Sequence, residues 1–159
     1  MRVSSAPELE SGEPRAVALE NALRKARAVR LPREPEIIIG CDTIVVVEGR
    51  IYGKPGDESE AAATIRALAG RRQDVISGLA VLVGEEERTA IASTAVRFRP
   101  VDEALLAWYV GTGEWRDRSG GYAVQGAGSA LVAEIDGEVE NVVGLPLGTL
   151  LELCPELRE

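Results

Sequence analysis

The residue on which chemistry could turn is Asp42, a carboxylate set between the apolar runs Ile37-Ile38-Ile39 and Ile44-Val45-Val46-Val47. An ionised side chain amid that much apolar surface costs on the order of several kcal/mol unless a cation, a metal or hydrogen-bond donors meet it. Asp42 is therefore either half of a structural bridge or a group with a task. Lys25, Lys54, Arg116 and Arg118 are the cations in suggestive settings, and histidine is absent from the chain. Without histidine the commonest general base and the usual zinc ligand are gone, so any reaction must run on carboxylates, Lys, Arg and hydroxyls. A metal, if one is used, would be a hard, oxygen-liganded ion such as Mg2+ or Mn2+.

The elements that must position these groups follow from periodicity. The β-branched runs around Asp42 predict a strand, Glu48-Gly49-Arg50 a turn, and Ile51-Tyr52-Gly53-Lys54-Pro55 a returning strand. A two-residue loop pairs Val47 with Arg50 and sets Thr43 opposite Lys54, with Asp42 on the other side of the pleat. A three-residue loop instead puts Lys54 on the face of Asp42, and the sequence leaves both registers open. Ahead of the hairpin, Arg2-Val3-Ser4-Ser5 reads as a strand end and residues 6–12 as a loop. Pro14 then opens a helix whose apolar face runs through Ala18, Leu19, Ala22, Leu23, Ala26 and Val29 to breakers at Pro32 and Pro35. Lys25 lies at the rim of that face and, taken alone, reads as a lysine whose stem covers apolar surface while its head stays in water.

After the hairpin, Gly56-Asp57-Glu58-Ser59 carries acidic and capping residues at the start of a helix that Gly70 ends, and residues 74–83 and 89–99 form a second hairpin whose first strand is broken at Ser77-Gly78. Asp102 caps a short helix that carries Trp108 and Tyr109 into the core. Residues 111–128 are rich in glycine and hold Arg116 and Arg118, a loop able to approach an anion closely or simply a tight connection. It lacks the Gly-Lys-Ser/Thr of a P-loop. Asp136-Gly137 predicts a third hairpin between residues 129–135 and 138–143, and Pro146 opens a last helix over Leu147–Leu153.

A chain of 159 residues is read as one α/β domain with a core of small aliphatic side chains, since aromatics make up only 4%. Its net charge of -8 argues against nucleic acid or an anionic membrane as partner, so a bound phosphate would belong to a small molecule. No apolar run of membrane length or leader pattern is evident, and Cys41 and Cys154 stand far apart, which suits a reduced, cytoplasmic setting.

Gly40-Cys41-Asp42-Thr43, Gly53-Lys54-Pro55, Gly120-Gly121-Tyr122-Ala123-Val124-Gln125-Gly126 and Asn141-Val142-Val143-Gly144-Leu145-Pro146, in that order, resemble the Maf family of nucleoside triphosphate pyrophosphatases. The resemblance spans nearly the whole chain. It implies a mixed, twisted sheet with flanking helices around a nucleotide cleft, a divalent metal, and hydrolysis of dTTP or UTP, with modified pyrimidine nucleotides as further candidates, to monophosphate and pyrophosphate. It also implies a homodimer. By the same resemblance Asp42 is the proton acceptor that activates water, Thr43 a substrate-selecting neighbour, and Lys54 and Lys25 contacts to phosphate oxygens. Gln125 matches the branch preferring dTTP and UTP, Arg118 stands where the family has lysine, and Glu8 is a candidate metal ligand beside Asp42. The family's opening strand and Ser-x-Ser-Pro-Arg-Arg loop have no counterpart, so residues 1–159 read as a single domain shortened at its start, with non-catalytic nucleotide binding as the alternative function.

Overall fold

The computed structural model describes residues 6–29 and 37–158. Its sheet has five strands in the order β2-β1-β3-β4-β5, and every described pairing is antiparallel. β1 spans Ile37–Val47, β2 Arg50–Tyr52, β3 Arg72–Val83, β4 Glu86–Phe98 and β5 Val132–Asp136. Helices α1 (Pro14–Ala28), α2 (Glu58–Leu68), α3 (Glu103–Thr112), α4 (Val139–Val143) and α5 (Leu147–Leu153) flank the sheet on both sides. The α/β class with flanking helices is thus the observed one.

The period of two in β1 sorts its side chains between two layers. Ile44 and Val46 join Ile76 of β3 and Ala18 of α1 on one face, while Val45 and Val47 enter the larger core on the other with α2, α3, Phe98 and Tyr122. α1 begins where Glu13 accepts from the backbone of Arg15 and Ala16 and Pro14 takes the first turn. It lies unusually close to the sheet because small residues face it. A Cβ on Gly40 would come 2.2 Å from the carbonyl of Ala22, and one on Gly78 would come 2.3 Å from that of Ala18. Gly78 therefore does not break β3, as its sequence suggests, but lets the helix settle onto an unbroken strand.

The first hairpin takes the two-residue loop. Val47 pairs with Arg50, and Glu48 and Gly49 both have positive φ, at 50° and 79°, the backbone of a tight turn that follows strand twist. β2 stops at Tyr52, so Lys54 lies beyond the strand and the pleat does not fix its side. β2 and its pairing cover β1 only over Val45–Val47.

Two further expectations are corrected. Residues 138–143 are not the second arm of a hairpin but the helix α4, despite their valines. The reason is tertiary: Asn141 is fully buried and donates from Nδ2 to the carbonyl of Val75 and to Thr94 Oγ1, while the Glu138 carboxylate accepts from the backbone of Gly148. Those anchors fit a helical turn closed by Gly144 at φ 117° rather than an extended arm. The aromatic pair in α3 also separates. Tyr109 is buried with Leu106 three positions away, whereas Trp108 falls off that face and is 52% exposed. Trp115 takes its place in the core, donating from Nε1 to the carbonyl of Val110.

The expected strand end at residues 2–5 and the breakers at Pro32 and Pro35 lie outside the described residues. Among the described residues no helix is long and apolar enough to cross a membrane. Cys41 and Cys154 are both free thiols.

Candidate active site

Asp42 stands on the α1 face of β1, directly opposite Gly78 of β3, and is 6% exposed. The glycine opposite it admits α1, and α1 supplies both partners of the carboxylate from positions one turn apart. Lys25 Nζ lies 2.5 Å from Oδ1, and Asn21 Nδ2 donates to Oδ2 at 3.0 Å. The same ammonium reaches Glu8 Oε1 at 2.8 Å, and the other oxygen of Glu8 lies 3.7 Å from Lys54 Nζ. Asp42, Lys25, Glu8 and Lys54 thus form one chain of alternating charge. Lys25 is not the water-borne lysine its helix position suggests in isolation.

Asn21 is the member of this group with no functional signal in its immediate sequence, although its place four residues before Lys25 sets both on one face of α1. Its amide also clamps the backbone of Leu9, accepting from the N–H at 2.7 Å and donating to the carbonyl at 3.0 Å. That pair fixes which end of the amide is nitrogen and holds the segment that carries Glu8. Burial pulls the Lys25 ammonium toward a lower pKa, but Asp42 and Glu8 outweigh it and leave the group above its ordinary value. For Glu8, partial burial would raise the carboxyl, yet Lys25 and Lys54 together hold it below its ordinary value.

Asp42 opens into a cleft of about 430 Å³ at the edge of β1 beyond the reach of β2. Lys25, Thr43, Lys54, Arg118 and Gln125 all line this cleft with Asp42, so those sequence candidates converge on one cavity. Glu8 lines the adjoining hollow, which shares Asp42, Thr43 and Lys54 with the first. Thr43 meets Ser77 across the strands, with their hydroxyl oxygens 2.7 Å apart. Arg116 does not join them: its guanidinium lies 4.5 Å from the ring centroid of Trp115.

The glycine-rich segment forms the far wall. Ser119 Oγ donates to the carbonyl of Thr43, and the N–H of Gly120 to that of Gly53. At φ 69° Gly120 packs where a Cβ would meet Val45 Cγ2 at 2.8 Å, so glycine here brings the loop against β1. Cys41 Sγ donates to the carbonyl of Gly144 at 3.2 Å and draws Val142 and Val143 to the same cleft. Burial pushes that thiol up to about 11, which keeps it protonated and poorly nucleophilic near neutrality.

An inner carboxylate, a rim with three cations and a neutral amide beside apolar walls make an arrangement suited to an anionic ligand with a planar, polar head. The fold and this cleft define a Maf-like protein: the sequence model of that family matches residues 2–157, and the chain belongs to the family. It is similar to a dTTP/UTP pyrophosphatase of Symbiobacterium thermophilum, with 45% identity over 135 residues covering 85% of this chain and 70% of the relative. A dTTP/UTP pyrophosphatase of Pyrococcus furiosus is 37% identical over 91% of this chain and 76% of its own length. One from an Anaeromyxobacter species is 45% identical over 89% and 70% respectively.

Proposed function

We propose that the protein hydrolyses dTTP and UTP, and modified pyrimidine triphosphates of the same shape, to the nucleoside monophosphate and pyrophosphate. The observation that carries this reading is the nearly buried Asp42 carboxylate facing a cleft whose rim holds Lys25, Lys54 and Arg118. Membership of the family and the names of the relatives agree with it.

In this reading Asp42 accepts a proton from water as the water oxygen bonds to a phosphorus of the α–β anhydride. The bridging P–O bond breaks, and its electron pair leaves on the departing phosphate oxygen. A bound triphosphate carries about four negative charges, so it draws Lys25 and Lys54 toward its oxygens and frees Asp42 Oδ1 to take the proton. Asn21 keeps hold of Oδ2. Arg118 offers a planar fork of donors where an ammonium would offer a point charge. Gln125 is the carboxamide of the cleft, and its donor and acceptor match the imide edge shared by thymine and uracil.

Asp42 and Glu8 are the residues that would hold a divalent metal, because both present hard oxygens to the shared ammonium of Lys25. Among the described residues no three of His, Cys, Asp or Glu converge. Two carboxylates fit Mg2+ or Mn2+, which commonly take their remaining ligands from water and substrate phosphates. Such an ion would neutralise charge on the triphosphate. The free thiols fit a reducing, cytoplasmic setting.

Pyrophosphate release from dTTP, UTP and purine triphosphates with Mg2+ or Mn2+ tests the proposal. Pyrimidine turnover that falls by roughly 10²–10⁴ in Asp42→Asn is expected. No turnover, or full turnover by that variant, would count against it.

A further inference from the structure

The cleft wall that carries Gln125 is held by a residue to which the reaction itself assigns no work. Glu114 follows α3, and its carboxylate accepts from two successive backbone groups, Oε2 from the N–H of Ala127 and Oε1 from the N–H of Gly128, each at 2.7 Å. Both oxygens are thereby committed to one turn of backbone, two residues beyond Gln125. Gly126 lies between, and a Cβ there would come 1.9 Å from Glu114 Oε2. Only glycine lets the carboxylate reach under the turn. The turn is also packed tightly on itself, since a Cβ on Gly128 would strike the carbonyl of Ala123 at 2.4 Å. On the other side of Gln125, the hydroxyl of Tyr109 donates to the carbonyl of Gly121 at 2.9 Å.

Gln125 itself is exposed, and its apolar neighbours Val124 and Ala127 are only partly buried against the core. Charge-assisted bonds to paired N–H groups are among the stronger and more directional contacts available. An amide read against a base edge discriminates only if it is held in place, since a mobile carboxamide can rotate to suit either donor or acceptor.

From this we propose that Glu114 is the positioning residue for nucleobase selection: by gripping the backbone at Ala127 and Gly128 it fixes the direction in which Gln125 meets the base. The inference rests on the reading of the cleft as a pyrimidine nucleotide site, but not on hydrolysis. The selected edge is the 3,4-edge of the ring, where thymine and uracil present an N–H beside a carbonyl and cytosine presents the reverse.

The test is binding of the non-hydrolysable α,β-methylene analogues of dTTP and dCTP, by calorimetry with Mg2+, to the whole chain and to Glu114→Ala, Glu114→Gln and Gly126→Ala, with thermal unfolding of each. The expected result is a thymidine preference in the parent that falls tenfold or more in Glu114→Ala. Most of that change should be lost affinity for the thymidine analogue, with the cytidine analogue within threefold of the parent. Glu114→Gln, with one accepting oxygen left, should fall between. Gly126→Ala should reproduce the loss by pushing the carboxylate away, and it serves in place of Glu114→Ala if that variant does not fold. An unchanged ratio in folded variants overturns the proposal, as does a parent with no preference between the analogues. Preference lost as expected in a parent that hydrolyses neither dTTP nor UTP sustains the role of Glu114 while removing the catalytic reading.

Discussion

Asn21 Nδ2 donates to Asp42 Oδ2 at 3.0 Å, a bond from an uncharged donor to the carboxylate oxygen that Lys25 does not hold. The two oxygens of Asp42 are thus distinguished: one is tied to an uncharged amide, the other to an ammonium that an incoming anion can attract. Replacing Asn21 by Leu removes the tie and the clamp on Leu9 together. We expect kcat for dTTP to fall about tenfold or more, with a smaller change in KM, because the loss bears on how the base is aimed rather than on phosphate binding. Steady-state kinetics check this, and an unchanged kcat would show that Asp42 keeps its aim without Asn21.

Gly78 and Gly111 give opposite expectations for the same substitution. A methyl at Gly78 would meet the Ala18 carbonyl at 2.3 Å, so Gly78→Ala should cost about 1–3 kcal/mol or more and lift α1 with Lys25 and Asn21 away from Asp42. Gly111 lies inside α3 with open space around it, and Gly111→Ala should be neutral or stabilise by roughly 0.5–1 kcal/mol. Urea unfolding measures both.

Asn141 should matter to stability in proportion to its burial. Asn141→Ala leaves the Val75 carbonyl and Thr94 Oγ1 without the donor they share, a loss of about 1–3 kcal/mol. The same change loosens α4, so a smaller loss of nucleotide affinity through Val142 and Gly144 is expected by calorimetry.

Cys41 provides a pH dependence. Its thiol is raised from 9.0 to about 11, first by burial, so the folded chain keeps the proton over a range in which the unfolded chain releases it. The resulting contribution to stability is complete below about 9 and is lost as pH rises through about 11. In a Cys154→Ser background, iodoacetamide labelling of the folded protein should therefore keep accelerating to about pH 11, whereas the urea-unfolded protein levels off near 9. Levelling of both at the same pH would contradict the burial of Cys41.

Much of this molecule was legible before its coordinates. Pro14, the stretch Gly56-Asp57-Glu58-Ser59 and Asp102 mark helix starts by local chemistry, and Glu48-Gly49-Arg50 marks a turn whose length the sequence leaves open. Those signals depend on neighbours in sequence, and the structure agrees with them. Asp136-Gly137 misled because the fate of residues 138–143 is decided by Asn141 reaching β3 and β4, which no local pattern records. The site divides in the same way. Asp42 announced itself by its apolar surroundings, and Lys54, Gln125 and Arg118 by resemblance. Asn21 and Glu114 went unread because each acts on backbone or side chains distant in sequence, Asn21 on Leu9 and Asp42, and Glu114 on Ala127 and Gly128.

The seam between α1 and the sheet, closed by Gly40 and Gly78 against Ala18, Ala22 and Ala26, leaves no volume for a larger side chain at any of the contacting glycines. The half of the cleft that holds Asp42 is accordingly locked by its own packing and cannot be retuned by enlarging those residues. Change in what the protein recognises has the opposite wall to work with, where the Glu114 carboxylate lies so close under Gly126 that the two would have to change as a pair.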